Sequence, residues 1–250
     1  MKTVLSERTG AIRTISLNRP DRLNAISTQL VIDLNEAFGE AMADDATRVI
    51  IFRGAGRAFC AGDDLKEFDT QLGQKDQVDA MVHRLQDVTR KIVLGDKLVV
   101  GAIHGWAVGG GLEWAINCDL PIWGAGARGF FPEINLGLFV TGAVTTLLPK
   151  LAGLHKTKDL ILFGERFDAA TALELGIAWK VVPDDRLFDE AQKTAERIAA
   201  LPYEQACDVK RVVNRACHLD AEGAMTLETK ATIAAALDPE TEGRVKAFGG

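Results

Sequence analysis

Gly109-Gly110-Gly111-Leu112-Glu113 opens an apolar, helix-like run, and Pro132-Glu133 follows with a second acid 20 positions after the first. Three successive glycines let backbone N–H groups approach a ligand closely, because no Cβ intervenes. A helix that begins there presents unpaired N–H donors and the positive end of its dipole. Such a place can hold a developing oxyanion, with two carboxyls beside it to move protons. Glu113 lies between Leu112 and Trp114. A buried carboxylate is costly unless it is paired or protonated, so a purely structural role explains this residue poorly.

Outward from this stretch, short strands alternate with helices. Val4 to Glu7 and Ile12 to Leu17 read as strands joined by a turn at Thr9-Gly10, and Asn18-Arg19-Pro20 ends the second. Ser27 reads as the N-cap of a helix with Leu30, Leu34, Ala37, Phe38 and Ala41 on one face. Val49 to Phe52 and Leu98 to Ile103 read as buried strands, with a polar helix from Lys75 to Leu94 between them. Leu112 to Asn117 reads as a short buried helix, and Leu120 to Trp123 as the next strand. This alternation predicts an α/β core. Beyond Gly142 the pattern is almost wholly helical, broken by one short strand from Ala178 to Val182. The expected division is a core at 1–190 and a helical C-terminal region at 191–250 that folds back on the core or joins subunits.

Bulk properties exclude several classes. A chain of 250 residues that is 47% hydrophobic can bury one large core. Its net charge of -6 argues against a nucleic-acid partner, which would need a basic surface. Cys60, Cys118, Cys207 and Cys217 show no metal-ligand spacing and read as small apolar residues. Met1-Lys2-Thr3-Val4 does not resemble a signal peptide, and no run of about 18 apolar residues suggests a membrane span. A soluble, cytoplasmic protein is expected.

Three loops carry the candidate chemistry: Phe59-Cys60-Ala61-Gly62-Asp63-Asp64-Leu65-Lys66, Gly105 to Glu113, and Phe130 to Gly137. Taken singly, a glycine loop after a strand is a turn. Taken together, these loops resemble the enoyl-CoA hydratase/isomerase family, the crotonase superfamily. Asn18-Arg19-Pro20, Leu23-Asn24-Ala25, Asn117-Cys118-Asp119, Leu136-Gly137 and the set Ala172, Leu175 and Gly176 carry the resemblance along almost the whole chain.

The resemblance implies a crotonase-like α/β core of repeated ββα units, a helical trimerisation region and acyl-CoA thioester substrates. It implies that the N–H groups of Asp63 and Gly110 hold the thioester oxygen. Glu113 and Glu133 match the two acids of the hydratases: Glu133 would give a proton to the α-carbon, and Glu113 would activate the water that attacks the β-carbon. Hydration of a 2-enoyl-CoA to a 3-hydroxyacyl-CoA is therefore expected. The alternatives are a double-bond shift or another acyl-CoA reaction of the superfamily, and a non-catalytic acyl-CoA binder. Arg22, Leu23, Ala61, Asp64, Leu65 and Lys66 match the segments that contact substrate and CoA. Beyond CoA as part of the substrate, no cofactor and no metal is expected, and the assembly would be a homotrimer or dimer of trimers.

The chain departs from many hydratases at Phe131, Val140 and Thr141, which predicts a bulkier or more apolar acyl pocket. His83, His155 and His218 read as surface residues. His104, Trp106 and Trp114 lie near the glycine run, with core packing favoured for both tryptophans over pocket lining.

Overall fold

The computed structural model describes residues 2–248. Strands β1 (Val4–Thr9) and β2 (Ile12–Leu17) form an antiparallel hairpin turning at Gly10. Parallel pairing then adds β3 (Val49–Gly54), β4 (Leu98–Ile103), β6 (Leu120–Gly124) and β9 (Lys180–Val182), in the order β1-β2-β3-β4-β6-β9. A second sheet combines β5 (Trp106–Val108), β7 (Arg128–Phe130) and β8 (Phe167–Asp168), in the order β5-β7-β8. Cys60 extends it by a parallel bridge to Ala107.

Each repeat places one strand in the large sheet, turns, places a short strand in the small sheet, and leaves by a helix. Thus β4 and β5 lead into α4 (Gly110–Asn117). Strands β6 and β7 lead, through a 3-10 turn at Ile134–Leu136, into α5 (Val144–Ala152). Strand β3 and the bridge at Cys60 lead into α2 (Leu65–Gln71) and α3 (Lys75–Leu94). This is the expected ββα repetition.

Side-chain alternation along the central strands separates two cores. Ile50, Phe52, Val99 and Ile103 face α1 (Thr28–Ala43), α3 and α4, packing with Leu34, Phe38, Ile92 and Trp114. Val49, Ile51, Val100 and Ala102 face the other way, onto Leu187, Ala191, Ala195 and Ile198 of α8 (Leu187–Ala199). Helix α8 therefore crosses position 190 while packed on the sheet. Ser27 caps α1 by accepting from the Leu30 N–H at 3.2 Å, as its sequence position requires.

Further helices follow: α6 (Leu154–Phe163), α7 (Ala169–Glu174), α9 (Tyr203–Ala216), α10 (Ala221–Ala236) and α11 (Pro239–Phe248). Helix α9 is anchored by Lys210, whose buried ammonium donates to Ile92 O, Lys97 O and Asp119 Oδ2 at 2.6, 2.8 and 2.9 Å. Asp119 also accepts from the Val99 N–H at 2.7 Å. Four hydrogen bonds, one of them within the pair, compensate the charges for leaving water. Helix α10 buries none of its described side chains within the chain and leaves Met225 and Ile233 exposed.

Several elements differ from the sequence reading. The small sheet is absent from that reading because strands of two and three residues carry no usable periodicity. Helix α4 starts at Gly110, two residues early, and α5 starts at Val144, two residues late. Helices α2 and α11 complete the set.

Candidate active site

The glycine run is shaped by what surrounds it. Gly109 has φ +51° and ψ -126°, and a Cβ there would come within 2.7 Å of Glu133 Oε1. Gly111 meets Cys60 so closely that a Cβ would fall 2.5 Å from the Cys60 Cβ. Only glycine fits both demands, one conformational and one steric. The chain enters α4 with its N–H groups directed as a helix start requires.

The opposing loop is tied down by Asn24. Its amide nitrogen donates to Ala55 O, Ala58 O and Phe59 O at 2.9, 2.8 and 3.1 Å, while its oxygen accepts from the Arg19 N–H at 2.8 Å. Ile26 bridges Asp63 in parallel, donating to Gly62 O and accepting from the Asp64 N–H. Arg19 pairs with Asp64 at 2.9 Å. The Asn18-Arg19-Pro20 and Leu23-Asn24-Ala25 motifs thus act here as scaffolding for residues 58–64.

A cavity of about 270 Å³ opens between these segments, bordered by Asp63, Gly110, Glu113 and Glu133 together. No hydrogen bond within the described residues engages the N–H of Asp63 or of Gly110. Two free amides and two acids on one cavity are what acyl-transfer-like or enolate chemistry requires. The far wall is apolar, from Phe68 of α2, Val78, Met81, Val82 and Leu85 of α3, and Leu138 and Phe139.

Both glutamates are almost fully buried. Glu113 accepts from the Thr141 N–H at 3.0 Å, and Asn117 Nδ2 holds Gly142 O at 2.8 Å, fixing that loop against it. Burial lifts the Glu113 carboxyl from 4.5 to about 7; the Thr141 N–H opposes the rise, and the charge of Glu133 adds to it. Burial also raises Glu133 to about 7, with the charge of Asp63 adding. Glu133 Oε2 is buried without a hydrogen-bond partner in the protein. One acid of the pair can thus hold a proton near neutral pH while the other is ionised. Among the described residues, no group of three or more His, Cys, Asp or Glu side chains is arranged to hold a metal ion.

Raised carboxyl values carry a stability cost of fixed sign. The folded state binds more protons than the unfolded one between about pH 4.5 and 7, so stability falls as pH rises through that window. Glu113→Gln removes one ionisation and is expected to raise the melting temperature relative to wild type at pH 8. The gain should shrink at pH 5. Thermal melts at both values check this, and an equal shift at the two pH values would refute it.

The remaining sequence candidates lie elsewhere. Asp64 borders the cavity, but Arg22, Leu23, Ala61, Leu65 and Lys66 do not. Leu65 and Lys66 are exposed at the start of α2, Arg22 is exposed, and the Ala61 N–H donates to Leu23 O at 3.0 Å. Phe131 and Val140 are buried away from the cavity, so they do not enlarge its wall; Leu138, Phe139 and the α3 side chains supply that bulk. Thr141 does border it and orients Glu113, through its backbone N–H at 3.0 Å and, more weakly, its hydroxyl, which donates to Glu113 Oε2 at 3.5 Å. Trp114 packs in the core against Phe52, and Trp106 lies under Arg166. His104 meets Gly56 O and the Phe188 ring, outside the cavity.

Residues 7–243 match the family model described as enoyl-CoA hydratase/isomerase. The chain belongs to that family. A probable enoyl-CoA hydratase of Rhizobium meliloti is 36% identical over 223 residues, covering 89% of this chain and 85% of the relative. The 1,2-epoxyphenylacetyl-CoA isomerase of Escherichia coli is 33% identical, covering 86% and 83%. Among solved structures, enoyl-CoA hydratase from Bacillus anthracis superposes with a TM-score of 0.93 at 30% identity, covering 99% of this chain and 96% of that one. This member of the crotonase superfamily therefore shares the fold along its full described length, and an enzyme acting on acyl-CoA esters is the coarse functional conclusion.

Proposed function

We propose that this enzyme hydrates a 2-enoyl-CoA thioester to a 3-hydroxyacyl-CoA. The observation that carries the proposal is the meeting, on one cavity, of two buried glutamates and two backbone amides without acceptors. The Asp63 and Gly110 N–H groups would hold the thioester oxygen as it gains enolate character. Each such donor is typically worth about 2.7–4 kcal/mol in the transition state. Glu113, oriented by Thr141, would take a proton from the water that attacks C3. Glu133, protonated in the resting pair, would deliver its proton to C2, and the enolate would collapse to the saturated thioester. The proton count closes: one passes from water to Glu113, one from Glu133 to carbon, and a proton returns from Glu113 to Glu133 by way of solvent before the next turnover.

Nothing in this scheme calls for a metal or redox cofactor. Arg22, Leu23, Ala61, Leu65 and Lys66 would lie along the CoA moiety, outside the acyl cavity, with Lys66 offering charge to a phosphate. The exposed apolar side chains of α10 favour a subunit contact, in a homotrimer or dimer of trimers, and the cytoplasm is the proposed compartment.

A double-bond shift is the second reading, in keeping with a family described as hydratase/isomerase. Incubation with a 2-enoyl-CoA in oxygen-18 water separates the two. Label on C3 of the product is expected. Turnover to a shifted double bond without label would overturn hydration.

A further inference from the structure

Five acidic residues border the cavity, Asp63, Asp64, Glu67, Glu113 and Glu133, and no lysine, arginine or histidine does. Four of them are accounted for. Asp64 pairs with Arg19, Glu67 accepts from the Thr28 N–H at 2.8 Å, Glu113 accepts from Thr141, and Glu133 is the proton donor of the proposed reaction. Asp63 is different. Only its backbone N–H enters that scheme, and among the described residues no hydrogen bond or ion pair reaches its carboxyl.

The Asp63 carboxyl carbon is three bonds from its own amide nitrogen, so at about 1.5 Å per bond it lies within a few ångströms of whatever that amide holds. Elsewhere the acyl end meets Phe68, Val78, Met81, Val82 and Phe139. A plain alkyl chain there would strip water from the Asp63 carboxyl and return nothing. A hydroxyl would donate to it. A second carboxylate would enter a site that holds acids and no cation, where repulsion is strengthened by low dielectric. Burial has already raised the Asp63 carboxyl to about 6, as expected for a group short of partners.

We infer that the Asp63 side chain is a specificity-determining group, which accepts a hydrogen bond from a hydroxyl within the first four carbons of the acyl moiety and rejects acyl groups bearing a carboxylate there. The inference rests on the acyl-CoA reading of the cavity and deepens it by naming the acyl class. It assigns the Asp63 side chain a task separate from that of its amide.

Calorimetric titration with three saturated four-carbon esters tests it, because the shared CoA cancels in the comparison. In the wild-type enzyme, 4-hydroxybutyryl-CoA is expected to bind about tenfold tighter than butyryl-CoA, and succinyl-CoA about tenfold weaker. Asp63→Ala keeps the amide and should bring the hydroxyl preference to about one. Asp63→Asn keeps an acceptor oxygen, so it should retain that preference while easing the penalty against succinyl-CoA. If the alanine variant does not fold, relief of the succinyl penalty in Asp63→Asn carries the test alone. Wild-type binding of all three esters with equal affinity would overturn the inference, as would discrimination unchanged by either substitution. Failure of butyryl-CoA itself to bind would instead overturn the acyl-CoA reading.

Discussion

Glu133→Gln is expected to lower kcat for enoyl-CoA hydration by about 10²–10⁴-fold, with a much smaller change in affinity for a saturated ester. The amide is nearly isosteric but has no acidic proton for C2. Glu113→Gln should fall in the same range, because an amide cannot take a proton from water. The double variant should be little worse than the weaker single one, since two groups that move protons for one addition act as a unit. Burial makes the loss large: Glu133 Oε2 has no partner in the protein, so no neighbouring group stands ready to replace it. Steady-state kinetics with a short 2-enoyl-CoA would decide. Full rates in both single variants would remove these residues from the chemistry.

Gly109→Ala is expected to cost both stability and turnover. The backbone at φ +51° and ψ -126° is one that side-chain-bearing residues rarely adopt, and such strain typically costs about 1–3 kcal/mol. The new Cβ would also come within 2.7 Å of Glu133 Oε1, so the acid must move. A displacement near 1 Å in a reacting group can cost roughly 10²-fold. Gly10→Ala is the control. Gly10 also has positive φ, at +59°, but nothing lies within 4 Å of its missing Cβ and it sits in the β1–β2 turn. That variant should melt somewhat earlier and keep its wild-type kcat. Equal turnover in the two glycine variants would show that Gly109 serves the backbone alone.

Legibility of the site in the sequence varied with the kind of constraint involved. Glu113 was visible because an acid in an apolar run is costly; Gly109 to Gly111, which alone read as a turn, stood out only together with the other two loops. Ser27 and the face Leu30, Leu34, Phe38 were visible because capping and helical spacing are local. Thr141 was noticed only as a departure from the family pattern. Its main contribution is a backbone N–H on Glu113 at 3.0 Å, which any residue but proline could supply; its hydroxyl adds a longer contact to Glu113 Oε2 at 3.5 Å, which only the folded structure reveals. Asn24 was read as part of a motif, and only its contacts with Ala55, Ala58 and Phe59 reveal the scaffold role.

The sequence by itself determined where along the chain the strands of the large sheet and most helices fall, that a helix follows a cluster of glycines, and the two acids near it. These are properties of short segments, where local sterics and hydrophobic period decide the outcome. Only the tertiary structure decided that α2 and α3 border the cavity, that Phe131 and Val140 stay out of it, and that the small sheet brings Cys60 beside Ala107. It also decided that Asp63 borders a cavity lined by no lysine, arginine or histidine. Such facts depend on which distant segments meet, and a buried side chain looks the same in sequence whether it faces a core or a ligand.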